Sequence, residues 1–351
     1  MRRTSALLLA ILAAGTTAVA APTPPKGGVD ARAEVFDAVA APKHVSYVGQ
    51  LSTIRSGSSR AFAVVAKVEH LAPDRTRRTY LAPRSLYGQY VVTQGARSWD
   101  VDPRTKRVVV TENRAAADPT GIVDDIALLD TNYRAVRTGA DDVAERKTDV
   151  VDLVSKRTGE RAMRLWLDRD THIALAREAY HSDGSLAWRT RFDDIRFTER
   201  IPAQVFNAAI PSGYATIQGR AYGAPANGNT ADRGVSRALA AAGFTAITPK
   251  FLPDGFSIVG ADVSTSAGMR NLHLVYSDGI RTLSLFETGG DRAIDFGSLK
   301  VATISFEGHE ARYVRDGPTI LLGWRERGHA FALAADLELE ELVAIAKSVV
   351  P

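Results

Sequence analysis

Between Val45 and about Thr111 the chain alternates apolar and polar residues in short runs, among them Tyr47 to Leu51, Phe62 to Val68, Tyr90 to Thr93 and Val108 to Val110. Each run is bounded by Gly, Pro, Ser or Asp. A period of two interrupted by turn formers predicts an antiparallel meander. Ahead of it, Asp30 to Ala41 sets Val35, Phe36, Val39 and Ala40 at helical spacing, and Pro42 stops the pattern, so a short amphipathic helix opens this region. Gly121 to Asp130 returns to a helical period with Ile122, Ile126 and Leu129 on one face; a helix there would cover one side of the sheet.

The next stretch is the most readable. Asp149 to Val154, Ala162 to Leu167, Ile173 to His181 and Leu186 to Phe197 read as strands, joined by turns such as Asp168-Arg169-Asp170-Thr171 and Ser182-Asp183-Gly184. Alternation puts Met163, Leu165 and Leu167 on one face and Arg164 and Trp166 on the other. Residues 215–229 are rich in Gly, Ala, Pro and Asn without a period, which predicts a linker and hinge. Beyond it, a short helix over Ser236 to Ala242 precedes further strands, from Leu272 to Tyr276 through Ala330 to Ala334. The chain closes on a helix, Glu338 to Val349, with Leu339, Leu342, Val343 and Ala346 on its apolar face. The organisation expected is therefore a first domain over 30–214, a linker over 215–235 and a second, smaller sheet-and-helix domain over 236–351, of the α+β class.

Residues 1–20 have the layout of a secretory signal: Arg2 and Arg3, an apolar run from Ala6 to Ala14, and Ala18-Val19-Ala20 as a cleavage site. Export to a periplasm or another extracytoplasmic space is expected. Two of the 44 basic residues lie in that segment, leaving 42 against 40 acidic ones. So balanced a charge argues against nucleic acid as a partner, and the Arg75, Arg77, Arg78 cluster reads as a solvated face. The chain has no cysteine, which removes disulfides, thiolate metal sites and thiol catalysis.

Catalytic signatures are missing as well. The best local metal candidate, His172 and His181 with Asp168, Asp170 and Asp183, sits at strand ends where turns already call for Asp. There is no Gly-x-Ser-x-Gly elbow, Ser-x-x-Lys, phosphate loop or dinucleotide fingerprint, so neither an enzyme nor a cofactor is expected. The chemistry left is that of large aromatic side chains on a sheet only partly covered by helices, an arrangement that can curl around an apolar ligand.

The run Leu165-Trp166-Leu167-Asp168, then Phe192-Asp193-Asp194-Ile195 and Ile201-Pro202 to Pro211-Ser212-Gly213-Tyr214, resembles the lipoprotein-carrier superfamily typified by LolA and LolB. In the second domain, Pro249 to Phe256 followed by Leu274-Val275-Tyr276-Ser277-Asp278-Gly279 resembles the MucB/RseB family of envelope-stress regulators. The resemblance implies a LolA-like half-open antiparallel β-barrel with covering helices, plus a smaller antiparallel sheet-and-helix domain. It also implies binding to the extracytoplasmic part of a membrane anti-sigma factor, relieved by lipid, lipopolysaccharide or lipoprotein acyl chains. On that reading Trp99, Trp166, Tyr180 and Trp188 would line the acyl groove, and Phe251, Tyr276 and Asp278 would face the partner. A periplasmic lipoprotein or lipid carrier is the alternative.

Overall fold

A computed structural model of the chain describes residues 30–55, 62–111, 126–181, 183–218, 231–266, 268–290, 294, 296, 301–316, 319–335 and 337–349. The expected signal segment and most of the expected linker lie outside them. Helix α1 (Ala31–Ala40) starts where the Asp30 side chain accepts the Arg32 N–H, and ends at a short 3-10 turn containing Pro42. The meander follows as β1 (Tyr47–Arg55), β2 (Phe62–Leu71), β3 (Arg75–Ala82), β4 (Tyr90–Gln94), β5 (Arg97–Asp102) and β6 (Arg107–Thr111). Helix α2 (Ile126–Asn132) leads into β7 (Tyr133–Val143), β8 (Arg146–Ser155), β9 (Arg161–Asp168), β10 (Ala174–Tyr180) and β11 (Leu186–Phe197).

These strands and β12 (Ala215–Gln218) form one 12-stranded sheet, ordered β12-β6-β5-β4-β3-β2-β1-β11-β10-β9-β8-β7. The end strands β12 and β7 do not meet, so the barrel is open. Its central seam, β1 against β11, needs Gly49: a Cβ there would strike the Phe192 ring and the Asp194 carbonyl. Met163, Leu165 and Leu167 lie beneath α1 with Val35 and Ala38, while Trp166 faces the other way beside its cross-strand partner Val150. The expected alternation is thus realised side chain by side chain.

Three details differ from the sequence reading. Residues 215–218 are not linker; they pair with β6 as a parallel edge strand, their alternating Thr216 and Ile217 being too short a run to show a period. The helix expected over Gly121 to Asp130 is observed at Ile126–Asn132, with residues 121–125 outside the described set. Strand β7, polar on most of its exposed edge, carried no apolar alternation to announce it.

The second unit opens with α3 (Ala231–Ala241) and continues as β13 (Ser257–Ser266), β14 (Met269–Ser277), β15 (Thr282–Gly289), β16 (Ala302–Phe306), β17 (His309–Asp316), β18 (Thr319–Glu326) and β19 (His329–Ala335), before α4 (Leu339–Val349). Its seven strands are ordered β13-β14-β15-β19-β18-β17-β16, all neighbours antiparallel. Leu342, Ile345, Ala346 and Val349 of α4 are fully buried against Leu285, Leu322, Trp324 and Leu333, the i, i+3, i+4, i+7 face of an amphipathic helix.

The units meet at α2. Leu128 packs into a small cluster with Val259 and Val275 of the second unit, and Ile280 packs in return against the first unit's core around Leu129 and Tyr133. Between these plugs, Tyr133 donates to Asp278 Oδ2 at 2.8 Å, and the Asn132 amide donates to the Gly255 and Asp278 carbonyls, both at 2.9 Å. Gly279, at φ +100°, lies so close to the Leu128–Leu129 backbone that no Cβ fits.

Candidate functional site

Around this junction the ends of β9, β10 and β11 face the second sheet and the start of α4 across a cleft of about 770 Å³, within the usual range of ligand sites. Its apolar floor includes Trp188, Ala179, Ile280, Phe286, Ala334 and Leu337. Two polar contacts bridge it: the ion pair of Arg157 with Asp254 at 3.1 Å, and His181 Nδ1 to Glu338 Oε1 at 3.3 Å. On the first unit's side, the Arg161 guanidinium lies 4.1 Å from the centre of the Tyr180 ring. Burial first, and then the hydrogen bond the phenol makes to Glu178, push the Tyr180 hydroxyl up to about 12. It remains a neutral donor near pH 7.

A smaller concavity of about 210 Å³ shares Arg55 and Trp188 with the cleft and is floored by Leu51, Val64 and Ala66. Register shows which face it occupies. Thr53 pairs with Thr190, Thr190 with Arg177, and Arg177 with Leu165; cross-strand partners share a face, so this concavity lies on the face that α1 covers further along. The cleft and this concavity therefore adjoin at Arg55 and Trp188.

Of the four aromatic residues expected in a groove, the structure brings Tyr180 and Trp188 together here. Trp166 is elsewhere, buried on the opposite face with its indole N–H donating to Asp141 at 3.1 Å. Trp99 packs in a separate cluster with Val101, Val108 and Val110. Period two alone assigned residues to faces without saying which face would be left open. The partner residues divide similarly. Phe251 is 47% exposed, but Tyr276 is 3% and Asp278 0% exposed, so neither offers a surface. Tyr276 is core, and Asp278 holds the junction, bound by Tyr133 and by Arg281 Nε at 2.8 Å. The Ser277-Asp278-Gly279 motif signalled a turn, not what the turn docks against. Arg55, Arg161, Glu338 and Glu341, which also line the cleft, carried no sequence signal because they come from three distant segments.

The acidic and histidine residues considered for a metal are used otherwise. Asp168 accepts from Arg146 Nη2 at 3.1 Å and from the Thr171 N–H and hydroxyl at 2.9 and 2.8 Å. His172 takes the left-handed conformation, φ +60°, that closes that turn, and His181 reaches across the cleft. One chain of polar groups does follow the order of a hydrolase triad: Ser284 Oγ lies 3.0 Å from His273 Nε2, and His273 Nδ1 lies 2.9 Å from Asp262. These sit on three adjacent paired strands. Ser284 occupies the middle of β15, between β14 and β19, where backbone N–H groups are committed to the ladder and cannot form an oxyanion hole. The row is a cross-strand hydrogen-bond ladder, with His273 stacked 4.3 Å from Phe286.

Residues 39–210 match the family model of the MucB/RseB N-terminal domain, and residues 246–349 match a domain of unknown function, DUF4367. A search of curated proteins found no match to the sequence. Solved structures align over nearly the whole chain. The complex of Pseudomonas aeruginosa MucA/MucB is 17% identical, covers 91% of this chain and 97% of its own, and gives a TM-score of 0.60. MucB in complex with MucA(peri) gives 18%, 91%, 98% and 0.59; a further crystal structure of MucB gives 16%, 92%, 98% and 0.54. At these identities the likeness is one of fold, and it takes in both sheets.

Proposed function

Since the chain belongs to the MucB/RseB family, we propose that it is an exported regulator that binds the extracytoplasmic part of a membrane anti-sigma factor, and that a lipid or lipoprotein acyl chain modulates this binding. The observation that carries the reading is the cleft between the two units, in a chain whose fold follows that of MucB solved with MucA(peri). A partner segment seated there would touch both sheets at once. On this reading residues 30–214 sense lipid, residues 236–351 contribute the partner surface with Phe251 at its edge, and residues 1–20 direct export.

An acyl chain entering along Trp188 toward Leu51 and Ala66 would gain about 0.8 kcal/mol per buried CH₂. Because it enters past Trp188, which also lines the cleft, it competes with a partner segment seated there and also acts by favouring one arrangement of the units over the other. The test is a pull-down of the purified chain with membrane extracts of its own organism, analysed for proteins and lipids. Recovery of a single-span protein with a cytoplasmic sigma-binding domain, weakened by Trp188→Glu and displaced by added lipid, is the expected result. Recovery of diverse acylated lipoproteins without such a protein would favour the carrier reading, which the adjoining cleft and concavity also accommodate.

A further inference from the structure

We propose that the cleft recognises a zwitterionic lipid head group of the phosphoethanolamine class, with its phosphate against the first unit and its primary ammonium against the second. The inference rests on the lipid part of the reading above and specifies which lipid.

Its basis is how charge is divided between the walls. The first unit contributes Arg55, Arg157 and Arg161 against a single carboxylate, Glu160; the second contributes Asp254, Glu338 and Glu341 against a single cation, Arg281. With histidine neutral, the lining has no net charge, yet one wall is positive and the other negative. The two bridging pairs do not consume this separation. Arg157 and Asp254 are both largely exposed, and Glu338 is 45% exposed opposite His181, so each pair is weakly held and can yield.

Arg161 reaches Asp152 only at 3.6 Å and its side chain is 35% exposed, so its guanidinium has N–H groups to offer a charged acceptor that enters the cleft. Across the cleft, Glu341 accepts the Glu338 N–H at 3.1 Å with one carboxylate oxygen, and the carboxylate has capacity for further donors. The apolar floor and the adjoining concavity at Leu51, Val64 and Ala66 take the start of the acyl chains.

Selectivity follows from unmatched groups. Phosphoglycerol offers the acidic wall only neutral hydroxyl donors and no positive charge, and a choline head group carries charge but no N–H to donate. Both leave the acidic wall without a charge-assisted hydrogen bond, which is what discriminates against them.

The experiment titrates the full chain by calorimetry with three monomeric lipids, dihexanoyl phosphatidylethanolamine, phosphatidylglycerol and phosphatidylcholine. Phosphatidylethanolamine is expected to bind about tenfold tighter than either other lipid. Glu341→Gln, which keeps an oxygen for the Glu338 N–H, should erase the preference over phosphatidylglycerol while leaving phosphatidylglycerol bound. Arg161→Gln should weaken all three. Thermal melts of both variants verify folding, and Glu338→Gln provides a second acidic-wall variant if Glu341→Gln fails to fold. Equal or tighter binding of phosphatidylglycerol, or a preference that survives in the acidic-wall variant, overturns the head-group assignment and leaves the lipid reading standing. Binding of none of the three overturns the lipid reading itself.

Discussion

Asp168 shows how a carboxylate can be mistaken for chemistry. Burial raises its pKa, but the hydrogen bonds from Arg146 and Thr171 outweigh burial and hold it below the ordinary carboxylate value. A group with a depressed native pKa contributes stability above its unfolded pKa of about 3.9, and that contribution is lost as pH falls through the folded value. Asp168→Asn is accordingly expected to cost about 2 kcal/mol at pH 7 by removing the buried partner of Arg146 and leaving it only the exposed Asp170, and progressively less below about pH 4; urea midpoints at pH 7 and pH 3 check this. Tyr133 is the corresponding case at the junction. Burial raises its hydroxyl pKa far above the usual range, so it stays a donor to Asp278, and Tyr133→Phe should cost about 1.5 kcal/mol in the same assay. The sequence made the identities of these groups legible, and the turn at Asp168 with them. Their partners lie 22 and 145 residues away, beyond the reach of any local pattern.

Elements were readable where a single period governed them. β8 to β11, alternating and closed by Asp-rich turns, came out of the sequence nearly whole, as did α4 with its apolar face. β7 and β12 did not, because edge strands are specified by the neighbour they pair with and can be polar or very short. The Ser277 to Arg281 turn is an element with two tasks, reversing the chain between β14 and β15 and docking on α2. Gly279→Ala keeps the first task barely possible at φ +100° and forbids the second. It is expected to destabilise by about 2 to 4 kcal/mol, with limited proteolysis showing new cleavage at the α2 junction, residues 126–132, as the units separate.

At the scale of the whole molecule, the hinge expected in the linker is joined by a second connection, the α2 junction, which ties the units through apolar plugs from both sides. One cooperative calorimetric transition is the expected behaviour of the parent chain, and two separated transitions that of Gly279→Ala. The open sheet, the smaller sheet and their order were foreseeable from segmentation and resemblance. The cleft was not, since it exists only where two separately folded surfaces face one another.

The exchanged plugs also bear on the order in which the molecule can mature. Leu129 and Tyr133 are synthesised roughly 150 residues ahead of Ile280, so a nascent first unit must wait with an uncovered oily socket until the later turn arrives. A fragment ending at residue 218 would keep that socket open permanently. Such a fragment should self-associate or recruit a holding chaperone, as light scattering of the isolated piece beside the full chain would reveal.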